Sequence, residues 1–505
     1  MAKILELLAG STATAIVAAI AFVLYLVGLA VYRLRYSPLA KFPGPKLAAL
    51  TLWYEFYYDS IKRGRYSFEI EKMHREYGPI IRINPNELHI NDPDYFDQLY
   101  GSHAKLDKYN FIARQFGNGS STIATLPHEL HKRRRAALAP FFARRQVVKL
   151  QGLITLMLEK VCMRFEEHKR NGKPLDVSML FRFMTVDITT EYGWGKPYGF
   201  LDAPETGERW VKSMQGLFEM GNTTRQLPWL VPIFKAIPGW MNPGAREAVA
   251  LIKTIDKEVL DIKQKSRKEF DIESKENPTI FHELFNSDLP EEEKSVDRLS
   301  QEGLMVVLAG AETVGNALST MTYYLLENPQ YLHKLKMELA EAIPNPAHQP
   351  TWQELEKLPY LSAVICEGLR VGLGVSARLP RVSPEQSLYY KDWEIPRGTP
   401  VSMNIMLMHH NPVIFPSPLV FQPDRWLDPE TSPALQKYLV PFSKGTRMCL
   451  GMHLGYAELY LTMAAIYRNF DLRLYDTTRE DVEPKHDFFV PVPELDTKGV
   501  RVLVK

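Results

Sequence analysis

A chain of 505 residues that is 45% hydrophobic and 24% charged is too long and too apolar to be a disordered or disulfide-stapled polypeptide, and it can bury a large core. Sixty-one Lys and Arg oppose 59 Asp and Glu for a net charge of +2, so no global field argues for nucleic acid as a partner. Only three cysteines occur, Cys162, Cys366 and Cys449, an odd number that fits no extracellular disulfide framework and points to a reducing compartment.

Residues 7–32 are 26 positions without a charged side chain, enough to span a bilayer. The run continues directly into Arg33 and Arg35 rather than into a small-residue cleavage site, which predicts an uncleaved transmembrane anchor over residues 1–35. Arg33, Arg35, Lys41 and Lys46 follow the span while only Lys3, offset by Glu6, precedes it, so the positive-inside rule places the rest of the chain in the cytosol. Two glycosylation sequons, at Asn118 and Asn222, are expected to be unused there. Phe42-Pro43-Gly44-Pro45 predicts a stiff, non-helical hinge over residues 36–48, and residues 49–505 are expected to form one body.

Within that body, residues 79–92 are β-branched with partial alternation and predict a hairpin. Between residues 146 and 370 the pattern is mainly helical, with apolar residues three and four apart over 147–169, 246–270, 300–326 and 361–369. Asn277-Pro278 and Asn328-Pro329 punctuate it, because proline disfavours helix at the residue before it. No internal repeat is evident, which leaves one mainly α domain with small β-sheets.

Residues 441–451, Pro-Phe-Ser-Lys-Gly-Thr-Arg-Met-Cys-Leu-Gly, precede a predicted helix over 455–470. A cysteine at a helix entrance is biased toward thiolate, the metal-ligating form, since the helix N-terminus is worth about 0.3–1 kcal/mol to an anion. Arg447 is expected to add a full positive charge beside it. Gly445 and Gly451 are expected to permit a tight turn and the close approach of a flat ligand. Cys162 and Cys366 lie inside helical runs and read as inert small hydrophobes. Zinc is disfavoured because no second cysteine lies near Cys449 and His453 adds one ligand at most; the Cys-x-x-Cys-His attachment of c-type haem is absent. Haem held through a single thiolate remains.

This loop resembles that of the cytochrome P-450 family, Phe-x-x-Gly-x-Arg-x-Cys-x-Gly, at Phe442, Gly445, Arg447, Cys449 and Gly451. The resemblance runs from the anchor through Phe470. It implies a mainly α fold with small β-sheets, the cytochrome P-450 fold, behind a single N-terminal transmembrane helix. It also implies haem b as cofactor and Cys449 as the proximal ligand to the iron. Glu367-Gly368-Leu369-Arg370 and the downstream Arg425 are similar to the family's structural lock. On the apolar run 303–313, Gly310 reads either as a site of close helix packing or as part of an oxygen-binding groove. The resemblance assigns hydrogen bonding to dioxygen to Thr313 and proton delivery to Glu312.

His131 and Arg135 stand where the family has Trp-x-x-x-Arg, and the resemblance implies that they hold the haem propionates together with Arg381 and Arg447. Arg378 is the alternative to Arg381, and the contribution of His131 is expected to depend on its protonation. Lys132, Arg133, Arg134, Arg144, Arg145 and Lys149 are either a solvated basic face or a dock for NADPH-cytochrome P-450 reductase. The implied activity is monooxygenation, with dioxygen activated at haem by NADPH-derived electrons from that reductase.

The phrase Tyr-Gly-Pro-Ile-Ile-Arg-Ile-Asn-Pro at 77–85 is similar to filamentous-fungal members of specialised metabolism. Met305, Val306, Ala309, Val375, Ala377 and Leu379 are the candidate apolar lining for a small lipophilic substrate, a terpenoid or polyketide intermediate. The expected location is the endoplasmic reticulum membrane, single-pass, with the catalytic body in the cytosol. A haem-thiolate isomerase or dehydratase that uses no dioxygen, and a non-catalytic membrane haem protein, are the competing readings.

Overall fold

The computed structural model describes residues 2–116, 119–236, 243–268, 279–345 and 348–505. The uncharged N-terminal run forms one helix, Ala2–Val31, that continues through a wider π turn, Tyr32–Tyr36. Its stretch Thr14–Tyr36 has a mean hydropathy of 2.6 and its apolar window is not buried in the body, which makes it a candidate membrane span. The chain leaves this helix at Ser37 and re-enters helix at Lys46–Leu50, so the last three residues of the predicted non-helical hinge are helical, with Pro45 supplying the extended residue at the helix start. Arg82 Nη1 donates to the Arg33 carbonyl at 2.7 Å, and Arg33 in turn donates to the Leu50 carbonyl, so the exit of the anchor is fastened to the body.

Residues 79–92 form the predicted hairpin, Ile80–Arg82 pairing antiparallel with Leu88–Ile90 and Ile80 lying opposite Ile90. Both strands are buried on both faces, which is why their alternation is only partial. They begin a five-stranded sheet whose order continues through Pro400–Ser402, Arg381–Val382 and Asp107–Lys108. The remaining strands among the described residues form one three-stranded sheet and two hairpins.

The predicted helix over 147–169 divides at Leu150 into Arg144–Lys149 and Gln151–Asn171. The run over 246–270 becomes Pro243–Lys268; its last two residues, and Asn277-Pro278, lie outside the described residues. The run over 300–326 is the central helix, Val296–Glu327, capped by the Ser295 hydroxyl and ended at Asn328-Pro329. It too is long and apolar enough to cross a membrane, yet it is the core of the body, with Leu299, Val307 and Leu318 fully buried.

Helix Val177–Trp194 crosses it at very short range. A Cβ on Gly303 would stand 2.4 Å from Trp194, on Gly310 2.4 Å from Thr189, and on Gly315 2.8 Å from Arg182. Residue numbers rise along one helix as they fall along the other, so the two are antiparallel and the glycines form their seam. Gly310 therefore packs against Thr189 on its crossing-helix side, and it keeps exposed surface beside Ala309.

Candidate active site

Between Val440 and the helix Met452–Asn469, the loop folds back on itself. The Cys449 N–H donates to the Phe442 carbonyl at 2.9 Å, and Ser443 and Gly445 adopt φ of 56° and 69° to make the reversal. Only glycine fits at 445, where a Cβ would stand 2.2 Å from the Tyr100 carbonyl oxygen. That glycine serves the expected tight turn and, in addition, the close approach of the Tyr100 backbone. At Gly451 nothing lies within 4 Å of the Cβ position, so space is open beside Cys449. The Phe442 ring packs on Tyr456 at 5.0 Å, and Val314 of the central helix comes within 3.6 Å of the Cβ position of Gly455. Loop and central helix thus face each other.

Cys449 is enclosed by protein, and its side chain is nonetheless exposed; so is Ala309, in the middle of the core helix. Accessible surface at the centre of a body belongs to an internal hollow, bounded here by the ligand loop on one side and the central helix on the other. Burial pushes the Cys449 thiol up, against the Gly451 N–H and the Arg135 guanidinium, which both favour thiolate. Burial thus opposes the bias of the helix entrance, and the cation beside the sulfur is Arg135 rather than the expected Arg447. Arg135 Nη1 donates to the Met448 carbonyl at 2.8 Å. A thiol in this setting gives up its proton when a metal takes its place.

Arg447 turns away from the sulfur and donates to the carbonyls of Thr125 (2.9 Å) and Leu126 (2.7 Å). Burial and the nearby Arg381 push it down to about 9. Arg381 is itself buried, donates to the Leu379 and Pro380 carbonyls at 3.2 and 3.3 Å, and stacks over Tyr100. Lys108 lies opposite Arg381 in the sheet and donates to the Ile123 carbonyl; burial, Arg381 and Arg447 hold it well below the usual lysine range. His131 is 4% exposed and is pushed down to about 2 by burial and by Arg447, Arg135, Lys108 and Arg381. Its Nδ1 and the Arg447 Nε are buried without a hydrogen-bond partner.

A cluster of buried cations beside the orphaned Arg447 Nε and His131 Nδ1 favours an anionic ligand. Haem presents two carboxylates on a flat ring, and the residues present fit it. Arg378, the alternative to Arg381, is committed to Glu87 and Glu55 at 2.7 Å each. Lys108 is the member that sequence reasoning missed; nothing local marks it, and only its cross-strand register with Arg381 brings it in.

Glu312 is 4% exposed and accepts from Arg182 at two points, Nη2 at 2.6 Å and Nε at 2.9 Å. The Thr313 hydroxyl donates to the Ala309 carbonyl at 3.0 Å, so Thr313 shares the face of Ala309 and looks into the hollow. Acid and alcohol, adjacent in sequence, therefore diverge: Glu312 toward the crossing helix, Thr313 toward the hollow. Of the candidate lining, Val306, Ala309, Val375 and Leu379 keep exposed surface while Met305 and Ala377 are buried.

Glu367 accepts from Arg370 (2.7 and 2.9 Å), from Arg425 (3.2 Å) and from the Trp426 indole N–H (2.9 Å), with no exposed surface of its own. Arg370 also donates to the His409 and Pro418 carbonyls. This lock ties helix Pro359–Gly372 to the segment that leads into the ligand loop. The thiols of Cys162 and Cys366 are pushed up to about 11 by burial and are inert. Asn222 is 2% exposed and donates to the Asp487 carbonyl at 2.8 Å, so that sequon is closed within the fold; Asn118 lies outside the described residues. In the basic set, Lys132, Arg133, Arg145 and Lys149 are exposed. Arg134 pairs with Glu293, and Arg144 pairs with Glu356 and stacks over Trp352, so the six are not one free patch.

The profile of the family described as cytochrome P-450 matches residues 43–498. The chain is 43% identical over 497 residues to a cytochrome P-450 monooxygenase of Ascocoryne sarcoides, covering 95% of this chain and 97% of that one. It is 42% identical over 488 residues to a tryptophan 6-hydroxylase of Fusarium equiseti, with 96% of each covered. It is 40% identical over 486 residues to an N-acetyltryptophan 6-hydroxylase of Emericella nidulans, with 95% of each covered.

Proposed function

Since the chain belongs to the cytochrome P-450 family, a monooxygenase with haem-thiolate iron that needs dioxygen, a substrate and an electron-transfer partner, we propose that it oxidises a small lipophilic specialised metabolite, a terpenoid or polyketide intermediate, at the endoplasmic reticulum membrane. The observation that carries the reading is an enclosed cysteine facing a hollow under the central helix, with underpaired cations at its rim.

The cofactor in this reading is haem b, with Cys449 as the proximal ligand and His131, Arg135, Arg381, Arg447 and Lys108 holding the propionates. Phe442, Gly445 and Gly451 shape the ligand loop. Haem held there would supply dioxygen activation, and the thiolate of Cys449 that would hold it would favour O–O cleavage. Thr313 holds a proton at the surface of the hollow, where its hydroxyl can turn from the Ala309 carbonyl to a ligand. Glu312 moves protons inward once its carboxylate leaves Arg182. The apolar faces of Val306, Ala309, Val375 and Leu379 bind substrate and exclude water. Lys132, Arg133, Arg145 and Lys149 steer an acidic partner, NADPH-cytochrome P-450 reductase, to the side of the ligand loop. Thr14–Tyr36 anchors the chain in the membrane with the body in the cytosol.

The names of two relatives favour a second reading of the substrate, an indole-bearing amino acid hydroxylated on its ring. Dithionite reduction and carbon monoxide addition test the centre: wild type is expected to give a red-shifted Soret band that Cys449→Ser loses. Absence of the band from folded, haem-loaded wild type sinks the monooxygenase reading. Product analysis with reductase, NADPH and either tryptophan or terpenoid panels separates the two substrate classes.

A further inference from the structure

Where the anchor helix meets the body, a cavity of about 460 Å³ opens between Leu29, Tyr32 and Arg33 of the anchor and Tyr109, Arg397 and Thr399 of the body. Two arginines line it, and no Asp or Glu does. Arg397 is exposed and makes no ion pair among the described residues. Behind the cavity stands a third arginine, Arg82, 3% exposed, with Nη1 and Nη2 on the carbonyls of Arg33 and Pro85 and its Nε without a partner. Burial and the neighbouring Arg33 push Arg82 down to about 10.

The depth of this cavity follows from helix geometry. At about 1.5 Å per residue, the uncharged residues 7–32 rise about 39 Å, against a hydrocarbon core of about 30 Å. The last turn of the anchor therefore stands at headgroup level on the cytosolic side, with Leu29 at the acyl boundary and Tyr32 and Arg33 among the phosphates.

We propose that this cavity binds the phosphate of an anionic phospholipid, held between Arg33 and Arg397 with the Tyr32 and Tyr109 hydroxyls as further donors and the glycerol side against Leu29. The proposal rests on the anchor reading above and is independent of the oxidation chemistry. A guanidinium meets phosphate oxygens in two-point hydrogen bonds, and the volume is that of a small-ligand site. A lipid seated at this elbow joins anchor to body and sets the inclination of the body over the bilayer. A soluble phosphate ester offers the same chemistry, and the experiment must separate the two.

Full-length, haem-loaded wild type, R397Q, R33Q/R397Q and K46Q are placed in phosphatidylcholine nanodiscs with a minor fraction of phosphatidic acid and returned to mild detergent. The lipid that stays with each protein is then quantified by mass spectrometry. Wild type is expected to retain phosphatidic acid enriched about tenfold over its share of the bilayer. R397Q and R33Q/R397Q lose the enrichment, while K46Q, which removes an equal charge beside the anchor but outside the cavity, keeps it. Equal enrichment in wild type and R33Q/R397Q overturns the proposal, and so does an equal loss in K46Q, which would mean diffuse surface attraction. Displacement of the lipid by micromolar inorganic phosphate overturns the assignment to lipid; resistance to it supports that assignment. The carbon monoxide band of each variant reports its folding. Carbonate extraction reports the anchor separately: release of wild type from membranes removes the anchor reading and this proposal together, whereas retention without enrichment removes this proposal alone.

Discussion

Arg182 holds Glu312 at two points, 2.6 and 2.9 Å, in the seam where Gly315 of the central helix lies against the Arg182 side chain. Both residues are buried, and the pair closes the crossing-helix face of the central helix while Thr313 looks the other way, into the hollow. The proton delivery proposed for Glu312 would therefore require its release from Arg182.

Removing one partner of such a pair leaves an uncompensated buried charge. Arg182→Met is expected to cost about 3–5 kcal/mol, whereas Arg182→Met combined with Glu312→Leu recovers most of it. Thermal denaturation of the two variants measures the difference, and equal losses would contradict the pairing. Glu312→Gln, which retains a hydrogen-bond acceptor for Arg182, is expected to slow product formation by about 10²-fold with a smaller loss of stability.

The cations around Lys108 and Arg381 repel one another in the protein and, on the proposed reading, would attract the haem carboxylates, so one substitution is expected to have two effects of opposite sign. Lys108→Met is expected to raise the melting temperature of the haem-free protein. The same change speeds transfer of haem to an acceptor apoprotein by about tenfold, for the loss of one charge-assisted hydrogen bond. A variant that holds haem as tightly as wild type would remove Lys108 from the propionate set.

Gly445 and Gly451 bracket the same cysteine for different reasons. Gly445→Ala forces a Cβ to within 2.2 Å of the Tyr100 carbonyl at φ of 69°, and it is expected to destabilise the haem-free protein by about 2 kcal/mol or more. Gly451→Ala meets no protein atom within 4 Å and leaves that stability unchanged. It is expected instead to weaken haem retention. Denaturation of the haem-free forms and spectra of the haem-loaded forms distinguish the two.

His409 accepts from the Val440 N–H through Nε2 at 3.0 Å and meets the Arg370 carbonyl through Nδ1 at 3.2 Å, which joins the lock to the start of the ligand loop. Burial, with Arg370 beside it, pushes its pKa down to about 3. An unfolded histidine titrates near 6.5, so between those values the unfolded chain binds a proton that the native fold refuses. Its contribution is complete above about pH 6.5 and is lost as pH falls toward about 3, at about 1.4 kcal/mol per unit. Urea denaturation at pH 7 and pH 5 is expected to show this slope reduced in His409→Gln; an unchanged slope would rule His409 out as its source.

The signals legible in the chain were local ones. An uninterrupted apolar run gave the anchor helix, and period-three and period-four spacing gave the central helix and its neighbours. The ligand loop and the lock announced themselves by motif, and the structure joins Glu367 to both Arg370 and Arg425. Segment packing lies beyond such signals, as the break at Leu150 illustrates, where nothing in the apolar spacing marks the division.

What the sequence by itself determined was the cysteine loop, the helical class and the family that those motifs carry, because each depends on residues within a few positions of one another. Only the tertiary structure decided that Arg135 and not Arg447 stands beside Cys449, that Arg381 and not Arg378 faces the site, that Lys108 joins it, and that Glu312 turns toward Arg182. Those outcomes depend on which distant segments meet and in what register. Burial, which pushes the Cys449 thiol up and His131 down, exists only once the segments have met.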